Sequence, residues 1–211
     1  MSPEIVLAST NLDKFQEMRA LFARYPELQL VKADSVLRNA EKIGMVEIYS
    51  SYAENAAAKA RLVNQGCHFP SLADDSGLEV FALDGKPGVR SARFASLEGK
   101  PSKLSQDQAN VEKLLTDLKG AANREARFVC TLVLVIEGMS LSATGTLEGM
   151  ITDTPRGEMG FGYDPVFVPK GETRTLAEMT ETEKNAISHR AHALQNLMQE
   201  IASHGIQFAK P

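Results

Sequence analysis

A chain of 211 residues, 43% apolar and 24% charged, is long enough to bury a substantial core as one sizeable domain or two small ones. Its net charge of -4 gives no basic footprint, which argues against duplex nucleic acid as a partner but leaves free nucleotides open. Two cysteines, Cys67 and Cys130, with no CxxC and no metal-type histidine spacing around them, point to reduced thiols in a cytoplasmic protein.

The opening "MSPEIVLAST" has neither a basic n-region nor a long apolar h-region, so no signal peptide is expected. No run approaches membrane-spanning length, and no linker or repeat divides residues 1–211, which read as a single domain with two lobes. "EIVLA" predicts a buried strand, followed by a polar loop and a helix on which Phe15, Met18 and Phe22 recur at helical spacing. A second strand is expected at "QLVKA". Ser51 and Glu54 form a capping box, opening a helix that Gly66 is expected to end. A short strand then runs into "SLADDSGLE", with a turn after its aspartates. Ser105 to Gln108 starts an amphipathic helix carrying Val111, Leu114, Leu115 and Leu118. "EARFVCTLVLVIEGMSLSATGTLEGMI" reads as two long strands in a hairpin joined at Gly138-Met139, with Cys130 in the core. Thr180 and Glu183 form a second capping box. The last helix carries an apolar stripe of Ala191, Leu194, Leu197, Met198 and Ile201, with Ser188 as its N-cap.

Four stretches carry chemistry. Asp74 and Asp75 repel each other, and on a strand they point to opposite faces. They are either a polar exit into a turn or a cation-binding carboxylate at a strand's carboxyl end, where α/β sheets place ligands. Ser9, Thr10 and Asn11 lie between a strand and a helix start, with Lys14 in the first turn. That is a phosphate cradle of N–H groups, hydroxyls and one ammonium, or simply a cluster of good N-caps. "GEMGFGYDPVFVP" resembles a dinucleotide fingerprint but lacks the strand before it and the helix after it. It is a tight loop in which Phe161 could stack on a flat ligand, or a plain loop packing on the core. His189 and Arg190 place cations in a helix's first turn, against the dipole, an anomaly that an anionic ligand would resolve.

Taken together, "STNLDK", "LADDSGLEV…GKPGVRSARF", "GFGYDPVF" and "EKNAISHRAHAL" occur in this order across nearly the whole chain. From Ile5 to about Leu197 the sequence closely resembles the inosine triphosphate pyrophosphatase family, also called the HAM1 family, of non-standard purine nucleoside triphosphatases. The resemblance implies an α/β fold: a long, mixed, twisted sheet flanked by helices, two lobes and a central substrate cleft. It implies hydrolysis of (d)ITP and XTP to the monophosphate and pyrophosphate, dependence on Mg²⁺, and a homodimer.

Residue by residue, the resemblance gives the triphosphate to Ser9, Thr10, Asn11 and Lys14. It makes Asp75 the catalytic acid/base and a metal ligand, with Ser76 beside it at the substrate. Phe161 stacks on the base, Gly162, Tyr163 and Asp164 complete that wall, and Lys184, His189 and Arg190 recognise the substrate, the last two near the base. The family's Glu-Thr-Gly segment, whose glutamate helps bind magnesium, aligns with "EIYSSYAENA". Glu47 takes the glutamate's place while the Thr-Gly is missing, and Glu54 is the alternative. Two rivals are a Maf-type pyrophosphatase, whose Ser-Pro-Arg-Arg loop is absent, and a non-catalytic nucleotide-binding module, which would not need both aspartates.

Overall fold

The structure is a computed structural model that describes residues 4–98, 104–206 and 208. Six strands, β1 (Glu4–Leu7), β2 (Gln29–Lys32), β3 (Ser71–Val80), β4 (Glu125–Ile136), β5 (Met139–Ile151) and β6 (Phe167–Pro169), form one sheet in the order β2-β1-β3-β4-β5-β6. β1 pairs parallel with both β2 and β3, and β5 pairs antiparallel with β6, so the sheet is mixed as expected. The helices are α1 (Leu12–Phe22), α2 (Tyr52–Cys67), α3 (Gln106–Asp117), α4 (Glu181–Ile187) and α5 (His189–Ser203), with short 3-10 turns between them. None among the described residues is long and apolar enough to cross a membrane.

Contacts divide the chain into two compact units. The first takes the chain up to Asp75, Cys130–Gly145 and the chain from Arg190; the second takes Ser76–Val129 and Thr146–His189. In the first unit, period-2 alternation along the strands builds two cores. Ile5, Leu7, Leu72 and Leu132 pack with Phe15 and Met18 of α1 and Leu194 and Leu197 of α5. Val6, Ala8, Ala73 and Val133 pack with Ala56, Ala60 and Val63 of α2. Leu72 and Ala73 therefore send their side chains to different helices, and Asp74 and Asp75 continue the alternation. The second unit has its own core, in which Leu78, Val80 and Phe128 pack with Leu114 of α3, Tyr163 and Phe167.

Four sequence expectations are corrected. The aspartates do not exit into a turn, because β3 continues through Ser76 and Gly77 to Val80. Gly77 is there for close approach rather than turning: a Cβ at that position would overlap the Gly88 carbonyl oxygen. The hairpin turns at Glu137-Gly138, not Gly138-Met139. Both residues have positive φ, 49° and 78°, the left-handed pair that matches strand twist. α2 runs past Gly66 to Cys67, and His68 supplies the left-handed cap at φ 61°. The capping boxes at Ser105 and Thr180 form in full. At Ser51 only half of one does: the hydroxyl accepts from the Glu54 N–H, and the Glu54 carboxylate turns back to accept from that same hydroxyl at 2.6 Å.

Candidate active site

Asp74 and Asp75, both buried, divide two sets of partners in the first unit. Asp74 faces α1 and α5: its Oδ2 lies 3.0 Å from Lys14 Nζ and 3.4 Å from both Nε and Nη2 of Arg190. Arg190 is buried too, and its Nη1 donates to Glu17 at 2.7 Å. Burial by itself raises the Asp74 pKa, but the charges of Lys14, Arg190 and Lys59 outweigh it and hold the carboxyl well below the usual range. Lys14 reaches Asp74 because α1 starts where it does. Asn11 is the N-cap, its Oδ1 accepting from the Lys14 N–H at 2.9 Å, and Ser9 Oγ accepts from the Asn11 N–H at 3.2 Å. Thr10 is exposed between them.

Asp75 faces α2. Its Oδ2 accepts from Asn55 at 3.0 Å, and its Oδ1 lies 3.4 Å from Lys59 Nζ. The same ammonium touches Glu47 Oε1 at 2.6 Å and donates to the Asp74 carbonyl oxygen at 2.6 Å. Burial is the main cause that raises the Asp75 pKa, with Glu47 adding to it and Lys59, Lys14 and the Asn55 bond pulling it back. Burial would lower the Lys59 pKa, but the charges of Asp74, Asp75 and Glu47 outweigh it, so Lys59 keeps its proton. Of the two candidate second carboxylates, Glu47 converges with Asp75 on one cation, while Glu54 serves as a cap.

Among the described residues no three histidine, cysteine or acidic side chains form a ready metal cage. Two carboxylates meeting at one ammonium are nonetheless the donor set that a small hard cation takes when water and substrate oxygens complete its shell. The residues fit such an ion.

In the second unit, the glycine-rich loop is fixed by two carboxylates on neighbouring N–H groups. Phe161 N–H donates to Asp164 Oδ2 at 2.9 Å, and Gly162 N–H donates to Asp107 at 2.8 Å. Gly160, at φ 75°, could not carry a Cβ without striking the Asp164 carboxylate. Lys184, buried on α4, donates to Asp164 Oδ2 at 2.6 Å, and its ammonium lies 4.8 Å from the centre of the Phe161 ring. Tyr163 is buried and donates to the Ser91 carbonyl oxygen at 2.9 Å; burial, helped by the Asp107 charge, pushes its hydroxyl pKa far up. Ser76 is half-buried, and His189 stacks on Phe128 with 4.8 Å between ring centres.

The Ham1 family model matches residues 5–200. The chain belongs to the Ham1 family. Among its relatives, the dITP/XTP pyrophosphatase of Deinococcus deserti is 45% identical over 195 residues, 92% of this chain and 87% of that one. The dITP/XTP pyrophosphatase of Aquifex aeolicus is 40% identical over 198 residues, covering 92% and 95%. A HAM1 protein from Coxiella burnetii, with a solved structure, superposes with a TM-score of 0.79 at 37% identity, covering 95% of this chain and 99% of that one. The Ham1 protein of Staphylococcus aureus gives a TM-score of 0.76 at 36% identity, covering 96% and 100%.

In this Ham1 chain the predicted residues thus fall into two groups. Ser9, Asn11, Lys14, Glu47, Asp75 and Arg190 belong to the first unit, and Phe161, Gly162, Tyr163, Asp164 and Lys184 to the second. Where the resemblance sets Arg190 near the base, the structure gives its guanidinium two carboxylate partners, Asp74 and Glu17. Sequence reading missed Asn55, Lys59, Glu17 and Asp107. For Asn55 and Lys59 a signal existed: they stand four apart on the same face of α2 as Ala56, Ala60 and Val63, which is an unusual place for an amide and an ammonium.

Proposed function

We propose that this chain is a metal-dependent nucleoside triphosphate pyrophosphatase, hydrolysing dITP, ITP and XTP to the monophosphate and pyrophosphate and so clearing non-standard purines from the nucleotide pool. Water attacks the α-phosphorus, a new P–O bond forms, and the bridge to the β-phosphorus breaks with pyrophosphate leaving. Asp75 takes the proton from that water. Its raised pKa suits a base, and its Oδ1 is the oxygen turned toward Lys59 and Glu47. Glu47 and Asp75 would hold Mg²⁺, which supplies charge neutralisation to the phosphate oxygens. Lys14, with the Ser9–Asn11 turn, supplies an ammonium and N–H donors to the triphosphate.

For the base, we assign stacking to the Phe161 ring, held by the Asp164 and Asp107 bonds of its loop, with Lys184 at its face. The resemblance gives base recognition to His189 and Arg190 as well. The ion pairs of Arg190 add a second duty, holding Asp74. Magnesium as the metal and a homodimer are what the resemblance implies, and a cytoplasmic location is what the two cysteines without CxxC spacing suggest; these complete the reading.

The observation that carries this reading is the convergence of Asp75 and Glu47 on one buried cation. A nucleotide panel with pyrophosphate and phosphate detected separately tests it. dITP, ITP and XTP should release pyrophosphate with Mg²⁺ and nothing with EDTA, and ATP should react far more slowly. Phosphate release with a diphosphate left behind would refute it.

A further inference from the structure

Asn55 is buried, 1% exposed, in the first turns of α2, where an amide is a poorer helix former than the alanines beside it. Its side chain makes three bonds. Oδ1 accepts from the Tyr49 N–H at 2.9 Å, and Nδ2 donates to the Tyr49 carbonyl oxygen at 3.3 Å and to Asp75 Oδ2 at 3.0 Å. These partners fix the amide's orientation. Turned over, it would set its oxygen against a carboxylate and its NH₂ against an N–H. A tether between helix and loop would need only the two bonds to Tyr49. The third bond occupies one oxygen of Asp75 and leaves Oδ1 toward Lys59 and, through it, Glu47. Tyr49 lies two residues beyond Glu47, so one buried amide grips both the loop of the second carboxylate and the first carboxylate itself.

We infer that Asn55 is a positioning residue: it sets which oxygen of Asp75 meets the cation and the attacking water, and it holds the Glu47 loop in register with that oxygen. This rests on the pyrophosphatase reading of Asp75. A removed second contact of this kind typically weakens metal binding about 10- to 100-fold, and a slightly misplaced reacting group costs about 10² in rate.

The test compares Asn55→Leu, close in size but without polar atoms, with Ser51→Ala, which loosens the start of the same helix without touching Asp75. Asn55→Leu should lower kcat about a hundredfold with little change in KM, and weaken Mn²⁺ binding to the nucleotide-free protein, followed by electron paramagnetic resonance, at least about tenfold. Ser51→Ala should lower Tm and leave kcat and Mn²⁺ affinity as in the parent. Parent-like kcat and Mn²⁺ affinity in Asn55→Leu, or matching losses in both variants, would overturn the inference. If Asn55→Leu does not fold, nuclear magnetic resonance of the unaltered protein decides. The Asn55 side-chain NH₂ and Tyr49 N–H signals should move together as Mg²⁺ is added without nucleotide, and unmoved signals would overturn it. Should the unaltered protein hydrolyse no triphosphate, the pyrophosphatase reading fails separately, while the Mn²⁺ and resonance measurements still judge Asn55.

Discussion

Lys14 Nζ lies 3.0 Å from Asp74 Oδ2, so the ammonium beside the Ser9–Asn11 turn is held by the aspartate next to Asp75 in sequence and opposite to it in direction. Arg190, also buried, shares that oxygen. Removing the Asp74 charge takes the carboxylate away from Lys14 and leaves the buried Arg190 with its Glu17 ion pair. Asp74→Asn should therefore cost about 3–5 kcal/mol of unfolding free energy, the usual penalty for breaking a buried pair from one side. Urea unfolding at neutral pH checks this, and a loss under about 1 kcal/mol would place the pair among weak surface contacts.

The two aspartates should bend the pH–stability curve in opposite directions. The folded pKa of Asp74 is depressed, so its contribution is complete above the unfolded value of about 3.9 and is lost as pH falls through the window below it. The folded pKa of Asp75 is raised, so the native state binds the extra proton above about 3.9, and stability falls as pH rises through the Asp75 folded pKa. Unfolding series of Asp74→Asn and Asp75→Asn without metal should each lack one of these slopes. Carboxyl carbon resonances should place Asp75 above ordinary aspartates, and higher still in Lys59→Met.

Asp75→Asn should cut kcat by a few orders of magnitude, since a general base alone supplies about 10²–10⁴. Its Tm should hold, because the amide is nearly the same shape and Lys59 keeps Glu47 and the Asp74 carbonyl oxygen. Retained turnover would mean that another group takes the proton.

Much of this was legible in the sequence because apolar periodicity has few competing explanations. β1, the Phe15–Met18–Phe22 face of α1 and the stripe on α5 follow from spacing alone. The aspartates misled because Ser76-Gly77 looks like turn chemistry. The approach of the Gly88 carbonyl and the Ser91 hydroxyl explains a glycine in mid-strand, and those contacts span eleven and fourteen residues of chain. Lys59 was passed over for a related reason. A lysine among alanines reads as a solvated helix face until Glu47, twelve residues earlier and in no regular element that spacing reveals, is folded against it. Asp107 hid behind the capping box at Ser105, which already accounts for a polar first turn; its bond to Gly162 is long-range and leaves no local mark.

In the second unit, Phe161→Ala should raise KM for ITP by an amount corresponding to about 1–3 kcal/mol of base stacking, with kcat less affected. Lys184→Met should be harsher, because it leaves the buried Asp164 carboxylate without its 2.6 Å partner and frees the loop that carries the Phe161 ring. Steady-state kinetics on ITP with parallel melting curves separate the two effects. An unchanged KM in Phe161→Ala would remove the ring from base binding.

Attack at the α-phosphorus is the core of the proposed reaction, and hydrolysis of dITP in H₂¹⁸O tests it most directly. Mass spectrometry of the products should find one ¹⁸O in the deoxyinosine monophosphate and none in the pyrophosphate. Label in the pyrophosphate, or labelled phosphate with a diphosphate left behind, would place the attack at another phosphorus and contradict the role given to Asp75.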